Sequence, residues 1–194
     1  YVGGFLGTEE ALSQWLEPKI QQWVSGVESL AQVAKRYPQT AYAGLAMSLQ
    51  QEWQFLQQVT EDIDVEFSGI ESALCTQFLP ALFGKESLTN SQQQLTCLPV
   101  KQAGIAILDP MDSAGGNYTA STVACGHLVA ALRGREEFRS VMHQSTMAEE
   151  KAATRKRNLE LNSAKLATTL RRLPDGLNRT ITRGKETGAI KGLY

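Results

Sequence analysis

The sequence has few of the side chains on which enzymes and metal sites depend. It contains only two histidines, His127 and His143, and neither lies at metal-ligand spacing from a cysteine or a pair of acids. No serine stands in the setting of a nucleophile elbow, and the two Gly-Lys pairs lack the other residues of a phosphate-binding loop. We therefore expect neither catalytic nor metal-binding residues in this chain.

Cysteine and long apolar runs are also scarce. The three cysteines, Cys75, Cys97 and Cys125, are odd in number, widely spaced and set among apolar residues, which favours buried free thiols in a reducing, intracellular compartment. No run approaches the roughly 18 apolar residues of a membrane-spanning helix, and the N-terminus lacks the pattern of a signal peptide. The sequence predicts no membrane partner and leaves the particular compartment open.

Two acidic pairs are the remaining candidates for a bound divalent ion. Asp62 and Asp64 stand two positions apart, and Asp109 and Asp112 stand three apart around a proline. Carboxylates at such spacings can converge on an ion in a loop. They are also typical of residues that cap the next helix, and we prefer the capping role for both pairs.

What the sequence does have is an uneven distribution of charge. Residues 1–100 carry 4 basic and 11 acidic side chains, whereas residues 101–194 carry 15 and 9, so the two halves have net charges of −7 and +6. Eleven of the basic residues lie from Lys151 onward. Such a segment is typical of a surface that follows phosphates or an acidic partner, and equally of a solvated helix face.

Apolar side chains recur at alternating spacings of three and four residues through most of the chain, which predicts helices. The first stripe extends from Leu12 to Ala34 and includes Trp23; the second extends from Tyr42 to Val59 and includes Trp53. We expect both tryptophans in the core. The expected fold class is all-α: an irregular multi-helix bundle with a short N-terminal β-hairpin or extended segment.

Composition divides the chain into four regions. Residues 1–8 combine glycines with strand-forming side chains and read as the hairpin, and residues 9–84 carry the strongest helical stripes and read as a bundle. Residues 85–175 read as a second helical region. Residues 176–194 contain four glycines and no stripe, which predicts a loosely ordered tail.

Three separated segments, at residues 1–7, 23–44 and 97–107, carry recognisable patterns. Tyr-Val-Gly-Gly-Phe-Leu-Gly resembles the YLGG-type primer grip of non-LTR retrotransposon reverse transcriptases, and the segment ending in Arg-Tyr-Pro-Gln-Thr-Ala-Tyr-Ala-Gly looks like their helical thumb. The third segment, with Asp109-Pro110 behind it, is similar to the LPxxxGGLGI segment that follows the thumb, although Ala103 and Ala106 replace two of its glycines. The resemblance covers most of residues 1–135.

The resemblance implies a positional role and not a catalytic one. The paired aspartates that hold the divalent metal in these polymerases belong to the palm, upstream of the primer grip, and this sequence has no counterpart of that pair. The chain would be an excerpt of an RNA-directed DNA polymerase, inactive alone and without a cofactor of its own. Its partners would be the palm, the fingers and the template-primer duplex.

The resemblance also nominates site residues. Tyr1, Val2, Gly3 and Gly4 would form the primer grip, and the helices behind it would fix the duplex through sequence-independent phosphate and sugar contacts. The candidate nucleic-acid contacts are Lys19, Lys35, Arg36, Lys101, Arg155, Lys156 and Arg157.

An alternative of a different class stays open. The chain could be a helical scaffold or protein-interaction domain whose acidic and basic halves dock partners or each other, without a nucleic-acid role. A palm encoded upstream of Tyr1 would favour the polymerase, because a primer grip needs a palm before it and a self-contained scaffold does not.

Overall fold

A computed structural model describes residues 4–187, apart from the side chains of Leu177 and residues 185–187. The described residues form helices joined by loops and short 3-10 turns, and they include no strand, so the expected all-α class is confirmed for this range. The helices are α1 (Glu9–Ala34), α2 (Pro38–Gly44, Leu45–Leu49 and Gln50–Val59), α3 (Ser68–Ala73, Leu74–Phe78 and Leu79–Phe83), α4 (Asn90–Cys97), α5 (Pro110–Leu132), α6 (Ser140–Arg172) and α7 (Asp175–Thr187).

The first three helices pack around an apolar core. Trp53 and Phe67 are fully buried, and the ring of Trp23 lies 6.4 Å from each of them between centroids. The indole N–H of Trp23 donates to a carboxylate oxygen of Glu52 at 2.9 Å, which satisfies its polar atom beside the core. The expected core position of both tryptophans is confirmed.

The same core continues past the end of α3. Ile105, Ile107 and Ala114 are buried against the residues of α1 to α3. Gly84, with φ 61°, ends α3, so the predicted boundary between residues 84 and 85 lies in a loop. The apolar core nevertheless includes residues from both sides of this boundary. None of the described helices is both long enough and apolar enough to cross a bilayer.

The predicted N-terminal hairpin is wrong for the residues that the structure describes. Residues 4–8 form no strand, and the ring of Phe5 packs on Trp15 of α1 with centroids 5.4 Å apart. This contact buries a side chain without giving the backbone a neighbouring strand, and a hairpin requires such a partner. Tyr1, Val2 and Gly3 lie outside the described residues.

The two acidic pairs behave differently. The Asp109 side chain accepts from the backbone N–H groups of Met111 and Asp112 at 2.9 and 3.3 Å, so its expected role as the cap of α5 is confirmed. Asp62 lies in the loop before α3 with φ 51°, and Asp64 makes no side-chain cap. The capping role expected of Asp62 and Asp64 is therefore wrong, because the chain turns at this loop without a side-chain cap from Asp64.

The end of the chain also differs from expectation. Residues 175–187 form α7, where a loosely ordered tail is predicted from residue 176. Ile181 is buried, and the Asn178 side chain donates to the Leu170 carbonyl at 3.1 Å, so α7 folds back on the last turn of α6. Among the described side chains of α7, Ile181 is the buried apolar one, and a single position is too short a stripe to be found by periodicity. Residues 188–194 lie outside the described range.

Beyond Ala114, α5 leaves the core and pairs with α6. We call this antiparallel pair, residues 118–161, the arm. At its base Lys165 donates to Asp112 at 2.7 Å, and at its tip the backbone N–H of Arg139 donates to His127 Nε2 at 3.2 Å. No residue from 115 to 165 is fully buried, so the two helices of the arm meet through partly covered side chains.

Candidate nucleic-acid interface

The three adjacent cations on α6 point in different directions. Successive residues of an α-helix are turned by about 100°, so Arg155, Lys156 and Arg157 cannot share one face. Arg157 donates to Glu150 and to the Thr154 hydroxyl, which lie two turns and one turn earlier on α6 itself. This bond from Arg157 lowers the pKa of the Glu150 carboxyl, and the pair neutralises much of the Arg157 charge.

Arg155 and Lys156 are exposed and form no ion pair with other described residues. Lys156 shares its face of α6 with Ser163, since seven residues make nearly two turns and about 10 Å of helix. The Gln102 side chain donates to Ser163 Oγ at 3.3 Å, so the 3-10 turn that contains its neighbour Lys101 packs on α6. The structure thus places the exposed Lys101 in a turn beside the helix of Lys156, although the two lysines lie 55 positions apart in sequence.

The other candidate contacts lie on α1 or directly after its end. Lys19 sits over the Trp15 ring at 4.8 Å, Lys35 donates to Gln32 at 2.7 Å, and Arg36 sits over the Tyr37 ring at 5.4 Å. α1 packs on α2 and α3, whereas α6 packs on α4, α5 and the 3-10 turn that contains Lys101. The structure therefore does not unite the α1 cations with those of α6 in one surface.

The segment between α4 and α5 has an unusual backbone. Ala103 and Ala106 adopt φ values of 66° and 55°, the left-handed region that favours glycine. Between them, a β-carbon on Gly104 would lie 1.8 Å from the Leu98 carbonyl oxygen, so only glycine fits there. The backbone of residues 103–106 therefore favours or requires glycine at three of its four positions.

Residues 105–108 are held by side chains of α2. Tyr42 donates its hydroxyl to the Ile105 carbonyl at 2.8 Å. Gln50 is buried, donates to the Ala106 carbonyl at 3.4 Å and accepts from the Leu108 N–H at 3.1 Å. Tyr42 lies in the second of the three segments with recognisable patterns and Ile105 in the third, so the structure places these two segments in direct contact.

A second buried amide, Gln57, joins α2 to α5. Its Nε2 donates to the Pro110 carbonyl at 2.7 Å, and its Oε1 accepts from Ser113 Oγ at 3.2 Å and from Asn117 Nδ2 at 2.8 Å. Neither Gln50 nor Gln57 was predicted from the sequence to be a buried, hydrogen-bonded residue. Their spacing of seven, in register with the apolar stripe of α2, is the signal that would have placed them on the core side.

Two thiols line a cavity of about 260 Å³ beside α3 and α4. Burial, with the nearby Glu71 carboxylate, raises the pKa of Cys75 to about 12; burial, with Asp109, raises the pKa of Cys97 to about 11. Both thiols are therefore protonated and weakly nucleophilic near neutral pH. The third thiol departs from the expectation of burial, because Cys125 is exposed on the arm.

The two histidines lie at the tip of the arm, on either side of Phe138. The His127 ring stacks on Phe138 with centroids 5.9 Å apart, and His143 lies 6.0 Å from the same ring. His127 Nδ1 is also 3.2 Å from a Glu136 carboxylate oxygen. Among the described residues, no group of three or more His, Cys, Asp or Glu side chains is arranged to hold a metal ion.

Comparison of the chain with protein-family models, with curated proteins and with solved structures finds no match in any of the three. The described residues offer the exposed cations Arg155 and Lys156 on α6, the exposed Lys101 in the adjacent 3-10 turn, and a loop whose backbone favours glycine.

Proposed function

We propose that this chain is a non-catalytic part of an RNA-directed DNA polymerase of the non-LTR retrotransposon type, which positions the template-primer duplex. Its helices would hold the duplex through phosphate and sugar contacts, while the palm, with its divalent metal, and the fingers would supply the chemistry. The chain alone would then bind nucleic acid without extending a primer.

The backbone of residues 103–106 carries this proposal. The LPxxxGGLGI pattern places glycine at the positions of Ala103, Gly104 and Ala106, and the sequence retains only the middle one. The structure has left-handed φ at both alanines and no room for a β-carbon at Gly104. The conformation that glycine serves is thus present even where the glycine is absent, which supports the resemblance independently of residue identity.

The surface beside this loop supports the proposed mode of binding. Lys101, in the 3-10 turn that packs on α6, and Lys156, on α6 itself, are both exposed, and neither forms an ion pair with the described residues. Unpaired lysines of this kind suit sequence-independent contacts with phosphates, which position a duplex without reading it. Arg157 is not part of the proposed contact surface, because it forms an ion pair with Glu150.

The salt dependence of duplex binding tests the proposal. Binding of an RNA–DNA duplex to the full chain is measured by fluorescence anisotropy over a series of salt concentrations. We expect the double variant Lys101→Gln, Lys156→Gln to reduce the slope of log K against log salt by about 0.9 for each phosphate that the variant no longer neutralises, since every neutralised phosphate releases condensed counterions.

A matched control removes the same charge elsewhere. Lys19→Gln with Lys35→Gln removes the charges of the partly buried Lys19 on α1 and of the exposed Lys35 at its C-cap, and α1 packs on α2 and α3 and not on α6. We expect this variant to keep the slope of the unaltered chain. Equal slopes for both double variants, or no binding of the duplex by the unaltered chain, would contradict the proposal.

The alternative of a helical scaffold is favoured by a different observation. The arm exposes large apolar side chains, among them Val141 and Leu132 at 79% and Leu159 at 63% of their surface. Such residues are typical of contacts with other proteins. A chain that binds no duplex at low salt but binds a protein partner through the arm would belong to this class.

A further inference from the structure

One stripe of α6 continues from the buried end of the helix to its exposed end. Its positions alternate in spacing between four and three residues, the repeat of a coiled-coil seam. The stripe consists of Val141, Ser145, Ala148, Ala152, Arg155, Leu159, Asn162, Leu166, Thr169 and Leu173.

The two ends of this stripe have different surroundings. Leu166, Thr169 and Leu173 are buried against the rest of the chain, and Asn162 is partly buried. All six positions from Val141 to Leu159 are exposed. They lie on the side of α6 away from α5, because the residues that meet α5, such as Glu150 and Thr154, occupy the opposite face.

We propose that a second copy of this chain covers the exposed part of the stripe, with the two α6 helices antiparallel about a two-fold axis at the level of Glu150. This inference goes beyond the proposed function and does not depend on it. The stripe is also continuous with the intramolecular seam at Leu166, so the dimer would extend a packing surface that the fold already uses.

The spacing of the stripe permits a two-fold axis at the level of Glu150, and the charges of Glu149 and Arg155 favour a second copy over another partner. Val141 and Leu159 stand nine positions before and after Glu150, Ser145 and Arg155 stand five, and Ala148 and Ala152 stand two. In an antiparallel pair, Val141 therefore meets Leu159 of the second copy, Ser145 meets Arg155, and Ala148 meets Ala152. A two-fold interface must be self-complementary in this way.

The chemistry of these layers is complementary as well. The two central layers contain only alanine, which lets the helices approach closely, and the outer layers pair valine with leucine. Ser145 donates its hydroxyl to Glu149 at 2.9 Å, which draws that carboxylate back to the level of Ser145. In the dimer this is the level of Arg155 of the second copy, so each Arg155 would meet a Glu149 across the interface.

Sedimentation velocity of the full chain over a wide range of concentration measures the dimer. We expect the unaltered chain to associate, and Arg155→Glu to weaken the association by at least about tenfold, because two like-charge pairs replace two opposite-charge pairs. Arg171→Glu is the control: it makes the same change of charge at an exposed position of the same helix, off the stripe. This control should associate like the unaltered chain.

A mixing experiment tests the antiparallel register itself. Glu149→Arg and Arg155→Glu each place like charges together when they self-associate, but a mixture of the two variants forms opposite-charge pairs at both ends of the interface. We expect the mixture to associate as strongly as the unaltered chain. A chain that stays monomeric at every concentration, an Arg155→Glu variant that dimerises normally, or a mixture that fails to recover association would each overturn the proposal.

Discussion

Ala103 and Ala106 are, with Asp62, the non-glycine residues of the described chain that have left-handed backbone geometry. A left-handed φ brings the β-carbon of an L-residue close to its own carbonyl, at a cost of roughly 1–2 kcal/mol for each residue. The surrounding bonds hold this geometry: the Ala106 N–H donates to the Leu98 carbonyl at 3.0 Å, and Gln50 donates to the Ala106 carbonyl at 3.4 Å. The loop therefore carries strain where two alanines adopt left-handed φ, while the backbone N–H and C=O groups of Ala106 are both hydrogen-bonded.

Removing those two β-carbons should stabilise the protein. We expect Ala103→Gly and Ala106→Gly each to raise the free energy of unfolding by about 1 kcal/mol, because relief of the left-handed strain exceeds the added entropy of the unfolded chain. Urea denaturation measures the change. Ala167→Gly, at an exposed position within α6, should lower the same free energy by about 1 kcal/mol. A loss of stability at Ala103 and Ala106 as well would show that neither carries strain.

Among the elements, α2 does most to position the others. Its π-helical turn at Leu45–Leu49 leaves the ordinary hydrogen-bond ladder, and the Gln51 side chain donates to the Ala46 carbonyl at 3.0 Å in compensation. Beyond the turn, Gln50 and Gln57 face residues 106–117 and supply bonds that no apolar side chain could. The start of α5 is therefore attached to α2 by amides and not by apolar packing alone.

Loss of the Gln57 amide should be costly. We expect Gln57→Ala to lower the free energy of unfolding by about 3 kcal/mol, since it leaves a cavity and removes the shorter side-chain bond to the Pro110 carbonyl, which keeps the 3.3 Å bond from Ser113 Oγ. The variant also removes the acceptor of the Asn117 amide. Gln58→Ala, at the adjacent exposed position, should change it by less than about 0.5 kcal/mol. Thermal or urea denaturation compares the two variants. Similar losses at both positions would contradict the role of Gln57.

At the scale of the whole molecule, the core and the arm differ in how much they bury. α1 to α3 enclose large side chains such as Trp53, Phe67 and Phe78, each fully buried, whereas no residue from 115 to 165 reaches that state. Local opening requires less free energy where fewer apolar groups leave contact. The arm is therefore the part of the described chain that should open first.

Amide hydrogen exchange tests this difference in local stability. In dilute protein, where association is minimal, we expect peptides from residues 119–160 to exchange faster than peptides from α1 and from the Gln50–Val59 part of α2, because the arm opens without disrupting the core. Mass spectrometry of peptic fragments measures the rates. Equal protection of the arm and α1 would mean that the arm is as stable as the core.

The sequence by itself determined the class of the fold and much of its core. Spacings of three and four place Leu16, Ile20, Trp23 and Val27 on one face of α1, and all four are buried, because a continuous apolar stripe specifies both the helix and its inner side. The cap at Asp109 was also predictable, since a carboxylate before Pro110 satisfies backbone N–H groups within the same turn. Both features depend on interactions between residues that are close in the sequence.

Only the tertiary structure decided how distant residues meet. It packed the turn of Lys101 against α6, set Gln50 against the loop after α4, and paired Arg157 with Glu150. It also removed the predicted strand at residues 4–8, where Phe5 packs on Trp15. Periodicity records which side of a helix is apolar, but not which neighbour covers it, because that choice depends on packing between segments far apart in the chain.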